Sequence, residues 1–281
     1  MINLKDLGLV CISLLKNEMA KIKNRSSLKR ILLGILNKAH DKLSNSNNAD
    51  ITTNGERRFI KEYIDSLKKT DTPYTFFDIG ANKGEYTSLL IELMRSKHSE
   101  YLVHMFEPVE NSYENILKNI QDKKHFVLNK VGVSDRADVL NIYYNKSGSP
   151  LASLYQRDIK EYNISLNQHE KINLIRLDTY IQERNIVHIH LLKIDVEGHE
   201  IAAFNGLGDF LNAEFIDVIQ FEYGGANIDS RTYLKDFFML LETRGFQLFK
   251  IQKNSLEPSS YRAIMENFKH SNFIAISKRM V

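Results

Sequence analysis

Apolar residues recur at two different spacings along this chain, and the switch between them predicts its architecture. Near the N-terminus Leu4, Leu7, Val10, Leu14 and Leu15, then Leu28, Ile31, Leu32, Ile35 and Leu36, repeat every three or four positions. That period gathers them on one face of a helix, so two amphipathic helices are expected over 3–23 and 27–43, joined near Asn24-Arg25-Ser26. The polar run Ser44-Asn45-Ser46-Asn47-Asn48 breaks the period and marks a boundary. A further helix is expected from Glu56 to Leu67, and then the pattern changes. Short apolar runs, at 75–79, 104–108, 125–128, 189–194, 215–221, 247–251 and 273–277, alternate with helical stretches at 85–95, 111–119, 178–184 and 233–243. Alternation of this kind predicts an open, mostly parallel α/β sheet. The 22 residues between Ile251 and Phe273 carry little helical period, so the last strand is expected to return antiparallel. Two domains follow, a helical extension over 1–55 and an α/β domain over 56–281.

Candidate chemistry clusters where strands end. The first run enters Asp78-Ile79-Gly80-Ala81-Asn82-Lys83-Gly84-Glu85-Tyr86-Thr87, an acid followed by two glycines four apart and a helix. A strand, a glycine turn and a helix together make a nucleotide site, because amides freed at the helix start favour an anionic group. The G-x-G-x-x-G of a dinucleotide site is absent, and Asp78 would repel a pyrophosphate. An acid there suits a ligand with a positive group, such as the ammonium and sulfonium of S-adenosylmethionine. Glu107 ends the second strand 27 residues beyond Gly80, placed to accept both hydroxyls of a ribose, and Pro108 stops the strand. Gly132-Val133-Ser134-Asp135 offers a turn where an adenine could lie.

The second dense stretch is His188 to Glu200. Period-two geometry puts Lys193 and Asp195 on one face and His188, His190 and Leu192 on the other. Asp195, Glu197, His199 and Glu200 crowd the carboxyl end of that strand, costly unless they pair or bind a ligand. His188 and His190 could chelate together, but with no third partner in view they read as structural. The next strand ends on Glu222. Leu140–Tyr144 looks like an extra strand, and the polar stretch from Asn145 to Glu170 reads as a substrate-facing lid. Asp178 is expected to cap the short helix that follows it.

Charge and cysteine content narrow the class. A net charge of +3, with lysines interspersed among acids, makes no electrostatic case for nucleic acid. The single cysteine, Cys11, allows neither a disulfide within the chain nor a cysteine metal cluster, and a cytoplasmic home is the default. The run Leu7–Leu15 is too short to span a bilayer and lacks the flanks of a signal peptide.

Taken together, these motifs resemble the FkbM family of S-adenosylmethionine-dependent methyltransferases. The resemblance is carried by Asp78 to Thr87, Phe106-Glu107-Pro108, Leu177-Asp178-Thr179-Tyr180, Lys193 to Glu200, Gly206 and Phe221-Glu222, and it covers about residues 70 to 255. It implies a seven-stranded class I methyltransferase (Rossmann-like) sheet, mostly parallel with an antiparallel last strand, and methylation of a hydroxyl oxygen. Sugars, glycolipids and polyketides are among the acceptors it implies. A bacterial surface-polysaccharide or nucleotide-sugar acceptor is expected on this analogy. Gly132 departs from the alanine common there, and His199 fills a variable place in its motif.

The cofactor set expected is Asp78, Gly80, Ala81, Asn82, Gly84, Thr87, Glu107, Pro108, Gly132 and Val133. Removing the acceptor's proton calls for a base, and Asp195, Glu197 and His199 are the candidates, with Lys193 beside them. A second scheme has Asp195 and Glu222 holding Mg²⁺ or Mn²⁺. The N-terminal helices read as a cap on the core, a homodimer contact or a docking surface for a partner or membrane. Two rivals remain: a nicotinamide-dependent sugar-modifying enzyme, against which Asp78 and the missing glycine count, and a binding protein of the same fold.

Overall fold

The computed structural model describes residues 25–97 and 99–281. The helix expected over 3–23, with Cys11, lies outside the described residues. The chain divides into one unit ending at Asn47 and a second running from Asn48 to Val281, which begins eight residues ahead of the boundary expected at 56. In the first unit, α1 (Arg25–Ser44) is a single 20-residue helix.

The second unit runs α2 (Glu56–Ser66), β1 (Tyr74–Ile79), α3 (Glu85–Met94), β2 (Tyr101–Phe106), α4 (Glu110–Asn119), β3 (Phe126–Asn129), β4 (Gly132–Val133), β5 (Asp138–Tyr144) and β6 (Gln168–Ile175). It continues with α5 (Leu177–Glu183), β7 (Ile189–Ile194), α6 (Glu200–Asn205), β8 (Ile216–Tyr223), α7 (Ala226–Ser230), α8 (Leu234–Thr243), β9 (Phe246–Gln252), β10 (Ser255–Pro258) and β11 (Ser271–Ser277). Eight strands form the main sheet in the order β10-β9-β11-β8-β7-β1-β2-β3. From β3 to β8 the neighbours are parallel, and β11 inserts antiparallel between β8 and β9. Without β10 this is the seven-stranded class I methyltransferase order. The eighth strand is an edge hairpin that β10 makes with β9, and its polar Ser255-Leu256-Glu257-Pro258 shows no strand-like apolar run.

Successive side chains of a strand face opposite ways, and here both faces are covered, which is why the runs read as continuously apolar. Phe76, Leu191, Val218 and Ile274 pack one cluster with Ile60 and Ile64 of α2 and Leu90 and Met94 of α3. Phe77, Leu192, Ile219 and Phe221 pack the other with Ile181 of α5, Phe204 of α6 and Phe237 of α8. On the first face the pattern breaks two residues further along. Asp78, Lys193 and Gln220 lie there in register across β1, β7 and β8, a polar layer in an apolar sandwich.

Three expectations are corrected. The stretch 145–170 does not stay irregular: β6 starts at Gln168 and pairs antiparallel with β5, while β4 adds a parallel edge, making a second, three-stranded sheet. Alternating polar residues in Gln168–Ile175 leave one face outside, so the run is too mixed to read as a buried strand. Asp178 does not cap α5. Arg176 occupies the cap position, and Asp178 sits in the first turn, where its carboxylate accepts from Thr179 N–H and pairs with Arg176. Finally, the histidines at the start of β7 do have a third partner on their face, Asp217 of β8, 3.0 Å from His188.

Candidate active site

The carboxyl ends of β1, β2 and β7 meet the small sheet at a cleft of about 620 Å³, part of it open to solvent. Its floor is the glycine turn. Gly80 has φ +79, and a Cβ there would stand 1.9 Å from the carbonyl oxygen of Asp195. Only glycine lets β1 and β7 approach this closely while Asp195 N–H donates to the Ile79 carbonyl at 3.0 Å. One wall is Glu107. Its two carboxylate oxygens accept backbone N–H groups, from Asn82 at 2.7 Å and Val109 at 2.9 Å, so it fastens the glycine turn to the end of β2. Burial outweighs those hydrogen bonds and pushes its pKa up to about 7. A carboxylate has about four lone-pair sites, so each oxygen keeps capacity for another donor.

The rest of the lining includes an apolar part. Val133 of β4, Ile142 of β5, and Ile172 and Leu174 of β6 line a slot beside Pro108. A Cβ on Gly132 would meet Leu174 at 2.6 Å and Ile172 at 3.3 Å, so glycine lets these β6 side chains pack against the β4 backbone.

Of the expected cofactor residues, Gly80, Asn82, Glu107, Pro108, Gly132 and Val133 line the cleft together. Asp78, Ala81, Gly84 and Thr87 do not. Asp78 is fully buried beneath the turn; one oxygen accepts from Thr87 Oγ1 at 2.7 Å and the other, Oδ1, has no partner. The cation it faces is Lys193, its register neighbour on β7. Burial raises the Asp78 pKa and Lys193 opposes that rise. Burial would likewise lower Lys193, but the carboxylates of Asp195, Asp78 and Glu56 outweigh it and hold the ammonium above its ordinary pKa.

At the end of β7, Lys193 Nζ lies 2.9 Å from Asp195 Oδ2, on one face as period-two spacing requires. Asp195, Glu197 and His199 all line the cleft. Glu197 sits in left-handed backbone, φ +50, with its carboxylate 2.5 Å from Arg157 Nη1. Burial, then Glu222 and Asp195, push its pKa well above the usual carboxylate range. His199 is engaged on both nitrogens, by Ser134 Oγ at 2.9 Å and Tyr155 Oη at 3.0 Å, and burial lowers its pKa. Glu200 is turned inward, where its Oε1 accepts Val196 and Gly198 N–H and fixes the loop before α6. Glu222 stands at the end of the neighbouring strand, 2.8 Å from His270 Nδ1. Burial would lower His270, but Glu222 overrides it and raises the pKa to about 9.

Sequence reasoning missed Tyr155 and Arg157, which the long loop delivers to Glu197 and His199. It also missed Glu56, whose buried carboxylate accepts from Gln220 and Asn272. Gln220, an amide inside the apolar run 216–221, was the readable signal of that network. At the other end of β7, Thr75 N–H donates to His190 Nδ1 at 3.0 Å. The neutral ring then carries its proton on Nε2, so the nitrogen left for His188 and Asp217 is a donor and not a metal ligand.

This sheet order and a cleft at the strand ends define a class I methyltransferase-like α/β protein. A family model, the methyltransferase FkbM domain, matches residues 78–248, and the chain belongs to that family. Similar solved structures include methyltransferase FkbM from Methylobacillus flagellatus (12% identity, TM-score 0.47, covering 94% of this chain and 58% of that one). They also include a putative methyltransferase from Streptococcus mutans in complex with SAH (9%, TM-score 0.42, 78% and 96%). A third is Aeropyrum pernix fibrillarin in complex with S-adenosyl-L-methionine (10%, TM-score 0.39, 78% and 74%). This chain thus spans 58% of the length of the Methylobacillus protein. No curated protein matches.

Proposed function

We propose that this protein is an S-adenosylmethionine-dependent O-methyltransferase acting on a hydroxyl of a sugar or glycoconjugate. The observation that carries the cofactor reading is that Glu107 and the apolar slot line one cleft. The residues present fit this cofactor. Glu107 has free lone pairs for the two ribose hydroxyls, and Pro108, Val133, Ile142, Ile172 and Leu174 suit an adenine ring. Gly80 and Asn82 would border the methionine end. Bound there, S-adenosylmethionine supplies an electrophilic methyl group on a cationic sulfur.

The protein's part is to orient the acceptor and take its proton. Of the three base candidates, Asp195 fits best. Lys193 holds one of its oxygens, Oδ2, at 2.9 Å and fixes the side chain, which borders the cleft. His199 is committed to Ser134 and Tyr155, and Glu197 to Arg157. Asp195 and Glu222 do not fit a divalent cation, since each already faces a cation of its own, Lys193 and His270. No step is assigned to a metal. The sugar acceptor rests on family analogy.

Calorimetry tests the cofactor reading: the protein binds S-adenosylmethionine and its demethylated product, and a Glu107→Ala variant loses most of that affinity. Binding of NAD in their place, or of neither, removes the assignment. Full turnover after exhaustive chelation by EDTA is expected, and lost turnover restored by Mg²⁺ would reinstate the metal scheme.

A further inference from the structure

Positive charge is not spread evenly along this chain. Residues 1–44 hold nine Lys and Arg against three Asp and Glu, a net +6, while the remaining residues hold 29 against 32, a net −3. Within the described part of that segment, α1 carries Arg25, Lys29, Arg30, Lys38 and Lys42 against the single acid Asp41. The same helix exposes large apolar side chains. Leu32 is 37%, Leu33 50%, Leu36 62% and Leu43 48% accessible. Leu32, Leu36 and Leu43 fall on one side at helical spacing, with Lys29 beside Leu36 and with Arg30, Lys38 and Lys42 on the other sides. No helix among the described residues is long and apolar enough to cross a membrane.

We propose that α1 docks on an anionic lipid surface, lying in the interface with its leucines among the acyl chains and its basic residues at the headgroups. A helix with an exposed leucine stripe and five basic residues against one acid has the composition of an interfacial segment. Charge complementarity selects this occupant. A second copy would set a helix of net +4 against another of net +4, whereas anionic headgroups attract every one of those cations. The proposal is independent of the cofactor and acceptor assigned to the cleft.

The test is co-sedimentation of the full chain with vesicles of phosphatidylcholine alone and of phosphatidylcholine mixed with phosphatidylglycerol. Binding is expected only to the anionic vesicles, and it weakens as salt is raised. Lys29→Gln, Arg30→Gln and Lys38→Gln together should lower that binding on the order of a hundredfold. Leu32→Glu with Leu36→Glu should lower it as far while leaving S-adenosylmethionine affinity and the thermal midpoint of the α/β domain unchanged, which shows that the variant is folded. The proposal is overturned if wild-type protein ignores anionic vesicles at low salt, or binds neutral ones equally. It is also overturned if the glutamine variant binds undiminished, or if the leucine variants only convert a solution dimer to monomer, which assigns the face to a second copy.

Discussion

Replacing Glu107 by Gln makes two effects compete, and their magnitudes decide the outcome at each pH. The carboxylate accepts two backbone N–H groups, and an amide offers only one acceptor atom. One buried N–H, of Asn82 or Val109, then meets an NH₂ group, at about 1–3 kcal/mol. Against this stands the pKa of Glu107, raised from 4.5 to about 7 by burial. An acid raised on folding is favoured in its protonated form. Its contribution to stability is therefore complete below 4.5, falls as the unfolded chain ionises, and is gone once pH passes about 7. At roughly 1.4 kcal/mol per pH unit that gap is worth about 3 kcal/mol. Glutamine cannot titrate and avoids the loss. Glu107→Gln should therefore be less stable than wild type at pH 5, by up to about 2 kcal/mol, and equal to it or more stable at pH 8. Urea midpoints of both proteins across that range measure the difference, and the other carboxylates cancel between them. Cofactor affinity separates from stability. The variant should bind S-adenosylmethionine at least tenfold more weakly at pH 8, because a bidentate acceptor for the ribose is gone, and wild-type affinity should rise with pH through about 7. A stability difference that stays constant from pH 5 to pH 8 would refute the assignment of a buried, raised carboxyl at this position.

Gly80→Ala forces a left-handed backbone on a residue with a side chain and drives its Cβ to 1.9 Å from the Asp195 carbonyl. The first effect costs about 1–2 kcal/mol and the second displaces β7, so a loss of at least about 3 kcal/mol in a denaturant titration is expected; under 1 kcal/mol argues against the close approach. His270, raised to about 9 by Glu222, contributes stability that is complete below its ordinary 6.5 and lost as pH rises through about 9. Glu222→Gln should bring its imidazole titration, followed by NMR, down toward 6.5, and a midpoint still near 9 would assign the shift elsewhere. Asp195→Asn should lower kcat by roughly 10²–10⁴ with cofactor affinity kept within a few fold. An unchanged kcat in that variant removes Asp195 as base.

What the sequence disclosed, and what it hid, follows from how far apart interacting residues lie. The main sheet was readable because each strand needs only its own apolar run to announce itself, and the glycine turn because a left-handed residue leaves a glycine in the text. Glu107 and Asp195 were readable as acids at strand ends for the same local reason. Asp78 was readable as an acid, but its partner was not. An acid ahead of a glycine turn implies a cation nearby, but nothing local says whether that cation is a ligand or a side chain. The structure supplies Lys193, more than a hundred residues away, at the same register on the next strand. The parallel pairing of β1 with β7 thus makes Asp78 part of a buried charge layer. The engagement of His199 was hidden in the same way. Its two partners come from Ser134, just after β4, and from Tyr155 in a loop with no period to betray its path. A histidine with the right pKa in isolation is a candidate base. One whose two nitrogens are both already hydrogen-bonded holds the loop in place, which is why the proposed base is Asp195, paired with Lys193 at 2.9 Å.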